Sequence, residues 1–235
     1  MADTPLFPVT VVGSWPRSTE LVRALRKKES GEITLAEFNA VADGDVLAAI
    51  KAQEDAGIDI ISDGEQRRDN FYSFAVDKLS GMQLMKVSEL LNYSKDRARM
   101  EEVLRALDVP AFAIKSPIVV DKIGKRQGLA VDELAFMKEH TNLPVKVPLP
   151  GPYMLTRSSW FEGLSDKVYP TPEDLAKDVV AILREEIITL RDQGAAFIQL
   201  DEPILSQVVF GEESTETFMC AALPQRRDPT EELEF

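Results

Sequence analysis

Short, nearly continuous apolar runs alternate along this chain with longer stretches in which apolar residues recur at helical spacing. Residues 9–14 (VTVVGS) form a β-branched run that ends in Gly-Ser, and the pattern predicts a buried strand entering a loop. A helix follows over 18–28, with Ser18 as its N-cap and basic residues in its last turn. A second helix is predicted over 45–56, capped by Asp45 and ended by Gly57, with Val46, Ile50 and Gln53 on one face. The strand IDIIS at 58–62 then runs straight into the polar cluster DGEQRRD.

Residues 71–109 read as largely helical, with SKDRARMEEVLRALD at the surface, and 111–120 (AFAIKSPIVV) as a strand or hairpin around Pro117. A helix over 130–140 precedes the strand VKVPLPGP, which closes in a Pro-Gly-Pro loop. The strongest helical signal covers 172–193. Thr171 is a good N-cap, Pro172 suits the first helical position, and Glu173 and Asp174 complement the positive end of the helix dipole. Its apolar stripe is Leu175, Val179, Ile182, Ile187 and Leu190, and Gly194 ends it. FIQL at 197–200 follows as a strand and delivers Asp201-Glu202-Pro203. The pattern thus gives five strands, near residues 10, 60, 117, 147 and 199, separated mostly by helices. Such a chain has the α/β class, its strands apolar throughout because helices cover the sheet.

Bulk properties narrow the field without naming a function. The chain has 235 residues, enough for one domain. Its formal net charge of −13 argues against a nucleic-acid partner, which calls for a basic face. No apolar run approaches the roughly 20 residues of a membrane span, and the N-terminus shows no signal peptide. A single cysteine, Cys220, excludes an internal disulfide framework and suits a reducing cytoplasm.

In parallel α/β folds ligands bind at the carboxyl ends of the strands, where the loops converge. The polar residues of this chain gather there: Gly13-Ser14-Trp15-Pro16-Arg17, Asp63-Gly64-Glu65 and Asp201-Glu202-Pro203. A zwitterion would fit such a rim, its carboxylate held by backbone N–H groups and Ser14, its ammonium by Glu65 and Asp201. Plainer readings stand beside this one. Gly13-Ser14 could be a turn capping the next helix, Asp63 could pair with Arg67 or Arg68 at the surface, and Trp15 and Trp160 could be packing residues. His140, at a helix end, is expected to bond to free carbonyls, and no zinc-ligand spacing exists between it and Cys220.

The segments VVGSWPRS, SDGEQRRDNFYSF, SPIVVDKIG, VKVPLPGPYML and FIQLDEPIL, in this order and spacing over residues 9 to 207, resemble the first five strands of the cobalamin-independent methionine synthase catalytic barrel. That resemblance implies a TIM-type (β/α)8 barrel, incomplete, with about the first five βα units present as one partial domain over 1–235. It implies transfer of a methyl group to homocysteine thiol, with zinc in the complete family member lowering the thiol pKa. Val12, Gly13 and Ser14 then match the segment that holds the homocysteine carboxylate, Glu65 and Asp201 the acids that bind its ammonium, and Trp160 (or Ser158) the region of the pterin-stacking tryptophan. The family's zinc ligands lie on later strands than any in this chain, so the expectation is a C-terminally truncated barrel, inactive alone. Phe112-Ala113 stand where folate-using members carry Arg-Cys, and Gln207 where they carry glutamate. The methyl donor is therefore either a folate or a corrinoid protein. The alternatives are an alkyl transferase or lyase acting on coenzyme M or another small thiol, and a non-catalytic binding protein derived from the barrel.

Overall fold

The helical pattern beginning at Ser18 produces α1 (Thr19–Ser30). Ser18 accepts the Leu21 N–H through its hydroxyl, and Gly31 ends the helix in the left-handed region that a glycine enters without strain. The second helix, α2 (Leu35–Asp55), starts ten residues earlier than the apolar face suggests. Its start is a capping box: Thr34 Oγ1 accepts the Glu37 N–H while Glu37 accepts the Thr34 N–H. Asp45 therefore lies inside α2, where its carboxylate accepts the Ser18 N–H instead. The apolar faces of the two helices pack through Leu21, Ala24, Phe38 and Ala42.

This computed structural model describes residues 5–70, 72–94 and 115–205, which group into two compact units built from interleaved stretches of the chain. The first holds residues up to 71 with 129–149 and 186–199; the second holds 72–128, 150–185 and the remainder.

In the first unit Thr10 bridges Ile60 and Ile61 bridges Val145, both in parallel. Then β3 (Lys146–Pro150) pairs with β4 (Phe197–Asp201). Residues 196 and 197 donate to the Val145 carbonyl, and further along Gly151 donates to Asp201, so this pair also runs in parallel. The spatial order is accordingly 10, 60, 147, 199. The segment near 117, expected as the third barrel strand, is not in this series, because Ile61 meets Val145 directly. Its residues form β2 (Lys115–Lys125), which pairs antiparallel with β1 (Leu79–Lys86) in the second unit. The described residues thus carry four parallel positions and a separate antiparallel pair, where five barrel strands were expected. Likewise 79–86, expected as helix, is a strand; within the described residues 72–94 only α3 (Ala75–Lys78) and α4 (Val87–Leu90) are helical. Residues 95–114, where the rest of that helix was expected, lie outside the described residues.

Three longer helices follow among the described residues: α5 (Val131–His140), α6 (Pro152–Ser159) and α7 (Pro172–Asp192). Leu175, Val179, Ile182 and Leu190 of α7 are buried as expected, and so is Glu186, whose carboxylate accepts the Ala130 N–H at the start of α5. Helix α6, which the sequence pattern does not predict, occupies the expected Pro-Gly-Pro loop, with Pro152 in its first turn.

The second unit is cross-linked by Tyr169, whose hydroxyl accepts the Ile123 N–H and donates to Asp178 at 2.6 Å. Burial and the Asp178 carboxylate push the Tyr169 hydroxyl up to about 12, and that hydrogen bond holds Asp178 below its ordinary value. A lowered native carboxyl stabilises the fold above its unfolded value, near 3.8, and loses that contribution as the pH falls toward the native value. Tyr169→Phe is expected to cost about 1 kcal/mol at neutral pH. In urea titrations the gap between the two proteins should narrow below about pH 4; a constant gap would show that Asp178 plays no part in it.

Candidate functional site

The strand ends of the first unit come together through backbone contacts. Trp15 N–H donates to the Gly64 carbonyl at 2.9 Å, joining the loop after residue 10 to the loop after residue 60. Gln66, fully buried, strengthens the joint: its amide donates to the Trp15 carbonyl at 2.8 Å and to the Gly64 carbonyl at 2.9 Å. Ser14 therefore sits beside the residue that contacts Gly64, next to Glu65 in the chain. The segments that carry these two expected site residues are thereby fastened together.

Their settings differ. Val12 is 78% exposed, and Gly13 and Ser14 are also exposed. Glu65 is 2% exposed. It is also the non-glycine residue with positive φ among the described residues, at 57°, directly after Gly64 at 67°. A left-handed conformation costs an ordinary L-residue about 1 kcal/mol or more, and such strain concentrates at functional positions. The turn is held from within by Asp63, whose carboxylate accepts the Glu65 N–H at 2.9 Å, and by Ser62, whose hydroxyl accepts the Gly64 N–H at 3.2 Å. Asp63 is buried, contrary to the surface ion pair weighed above; Arg67 pairs with Asp43 and Arg68 with Glu133.

Arg68 and Glu133, with side chains 2% and 6% exposed, make a bidentate pair at 2.6 and 3.1 Å. Arg68 also donates to the Pro148 carbonyl, so it ties the 63–68 turn to α5 and β3. Burial works against the Arg68 charge, but Glu133, then Asp63 and Glu65, outweigh it and hold the guanidinium more firmly charged than usual. Burial likewise pushes the Glu133 carboxyl up; Arg68 pulls against this and Asp63 adds to it. Asp63 and Glu65 of the turn thus act on the Arg68 guanidinium together with Glu133. Sequence reasoning placed Arg17 at a strand end and weighed Arg68 as a partner of Asp63 but gave neither its observed role, and it missed Glu133; the available signal for Glu133 was an acid at a core-facing position of α5, between Val131 and Leu134.

Asp201 ends β4 and belongs to the second unit, half-buried, its carbonyl accepting the Gly151 N–H. The neighbouring Glu202 caps α6: its two carboxylate oxygens accept the Tyr153 and Met154 N–H groups at 2.7 Å. Burial pushes its carboxyl up and those two N–H groups pull it down. Trp160 is 8% exposed and its indole N–H donates to the Tyr169 carbonyl, leaving little of the ring open among the described residues. His140 donates from Nδ1 to the Phe136 carbonyl of its own helix, as expected of a helix end. Among the described residues no group of three or more His, Cys, Asp or Glu is arranged to hold a metal ion, so these residues do not fit a zinc site. Cys220, Phe112, Ala113 and Gln207 lie outside the described residues. No helix among the described residues is long and apolar enough to cross a membrane.

This is a mixed α/β protein in which a left-handed turn carrying the buried Glu65 is joined to an exposed glycine-serine segment. The chain belongs to the family described as cobalamin-independent synthase, catalytic domain, which it matches over residues 7–226. It is 30% identical over 206 residues to the methionine synthase of Sulfurisphaera tokodaii, covering 87% of this chain and 54% of that protein. It is 31% identical to the methionine synthase of Thermococcus kodakarensis, covering 86% and 54%. A 5-methyltetrahydropteroyltriglutamate–homocysteine methyltransferase of Thermotoga maritima is 28% identical, covering 86% of this chain and 24% of that protein. The fold is shared with a B12-independent methionine synthase from Shewanella sp. W3-18-1, solved with selenomethionine, at a TM-score of 0.62 and 23% identity over 93% of this chain and 57% of that one. The chain spans about half the length of the methionine synthases it matches. A cobalamin-independent family gives no support to a corrinoid protein as donor or partner.

Proposed function

We propose that this chain contributes the amino-acid-binding part of a methyltransferase that moves a methyl group to the thiol of homocysteine, giving methionine. The observation that carries the reading is Glu65, a buried carboxylate in a left-handed turn, fastened to the segment that holds Ser14. In this reading Glu65 takes the ammonium of homocysteine, and Ser14 with the N–H groups near Val12 and Gly13 takes its carboxylate. A methyl-folate is the donor, as the name of the Thermotoga relative suggests. The described residues hold no ligand set for zinc, so their part in the reaction is to bind and orient the amino acid. A TIM-type barrel is the architecture proposed for the whole, supported by the parallel order 10, 60, 147, 199. The names of the relatives favour homocysteine over coenzyme M, which lacks the ammonium that a buried acid would read.

Glu65→Gln keeps the shape of the side chain and removes its charge. Losing one charge-assisted hydrogen bond of about 1.5–3 kcal/mol should weaken homocysteine binding roughly 10- to 100-fold in calorimetry. Binding as tight as that of the unaltered chain would refute the role of Glu65.

A further inference from the structure

Arg17 reaches across from the Ser14 loop to the Glu65 turn. Its Nη2 donates to the Glu65 carbonyl at 3.0 Å and to the Arg68 carbonyl at 2.7 Å. These carbonyls bracket the turn whose first peptides stand at φ 67° and 57°. The direction of the Glu65 carbonyl depends on that left-handed backbone. If Glu65 relaxed to the right-handed or extended region, its carbonyl would swing and the bond from Arg17 would be lost. The same rotation would re-aim the side chain, because Cα carries both. Gln66 fixes the peptides on the Gly64 side of the turn but does not touch the Glu65 carbonyl. Asp63 holds the Glu65 N–H. The Glu65 carbonyl also accepts the Arg68 N–H at 3.2 Å within the turn; Arg17 adds a second restraint on that carbonyl, and does so from the loop that carries Ser14.

We infer that Arg17 is a positioning residue that sets the Glu65 carboxylate, and with it the preference of the site for an amino acid over a thiol acid lacking the ammonium. The inference rests on the reading of Glu65 as the ammonium-binding acid. Arg17 acts through main-chain carbonyls and charge delocalised over a planar fork, so lysine, a point donor, replaces it only in part.

The test compares calorimetric affinities for homocysteine and for 4-mercaptobutanoate, which is homocysteine without its amino group, on the unaltered chain, Arg17→Met and Arg17→Lys. Melting temperatures are recorded beside them. The unaltered chain is expected to prefer homocysteine by tenfold or more. In Arg17→Met that ratio should fall toward one through weaker homocysteine binding, with 4-mercaptobutanoate affinity held; Arg17→Lys should lie between. A normal ratio in the unaltered chain that persists in the variants overturns the inference and leaves Glu65 its role, even if the melting temperature drops. Equal weakening of both ligands also overturns it, because that is the result of an arginine that binds the shared carboxylate. If the unaltered chain shows no preference, the reading of Glu65 fails first and the inference with it. Should Arg17→Met not fold, the ratio in Arg17→Lys decides: reduced supports the inference, unchanged overturns it.

Discussion

Replacing Glu133 with leucine is expected to destabilise the chain by about 3–5 kcal/mol, because it leaves the buried guanidinium of Arg68 without its counter-charge. The two side chains are 2% and 6% exposed, so water cannot take over the role of the lost carboxylate. Arg68 would keep its bond to the Pro148 carbonyl, but an uncharged acceptor does not balance a buried cation. The neighbouring Asp63 and Glu65 would become the nearest negative charges, drawing Arg68 toward them and away from α5. Removing both charges, as Arg68→Met with Glu133→Leu, should recover most of the loss, since well-packed apolar replacements of a buried pair are often neutral. Urea denaturation of the single and double variants checks both statements. A single variant within about 1 kcal/mol of the parent would mean that the pair is more hydrated than its burial implies.

Much of the scaffold could be read from local pattern. The run VTVV, the run IDII and the strands at 147 and 199 lie where their apolar residues place them, and α7 starts at Pro172 after Thr171 as its caps dictate. What failed was information held between distant segments. A β-branched run at 115–120 signals a strand but does not name its partner, and β1 supplies that partner from a stretch whose long side chains read as helical despite Gly81. Gly81 stands at φ 79° beside the Lys122 carbonyl, at an irregularity in the β1–β2 register, and a lone glycine does not announce such a bulge. Helix α6 was hidden for a similar reason. Pro-Gly-Pro reads as a loop, and the carboxylate that caps the helix comes from Glu202, some fifty residues later.

The same division runs through the site. Ser14 and Glu65 were visible as polar residues at the ends of apolar runs, where parallel folds bind ligands. The left-handed backbone of Glu65 was not, because Asp-Gly-Glu is compatible with many turns and the choice is made by Trp15, Gln66 and Arg17 from outside the motif. The Arg68–Glu133 pair links positions sixty-five apart, and a buried charge looks in sequence like any surface charge.

Gly64→Ala should be the most damaging substitution in the turn. A Cβ at Gly64 would stand 2.6 Å from the Trp15 Cβ, with the Ala49 Cβ at 3.5 Å. The Trp15 atom belongs to the stiff base of the side chain, and its own peptide is fastened to the Gly64 carbonyl, so it cannot retreat without breaking that bond. To this overlap is added the penalty of about 1–2 kcal/mol for an L-residue in the left-handed region. We expect a total loss of about 3 kcal/mol or more in stability, together with a loss of homocysteine binding greater than tenfold, because the Ser14 and Glu65 loops separate. Gly13→Ala supplies the comparison. Gly13 stands at φ 81° but has nothing within 4 Å of the added carbon, so it should incur the backbone penalty alone. Equal denaturation midpoints for the two variants would show that the contact between Trp15 and Gly64 does not hold the loops together. A midpoint far lower for Gly64→Ala, with Gly13→Ala below the parent by the backbone penalty of about 1–2 kcal/mol alone, is the result the geometry requires.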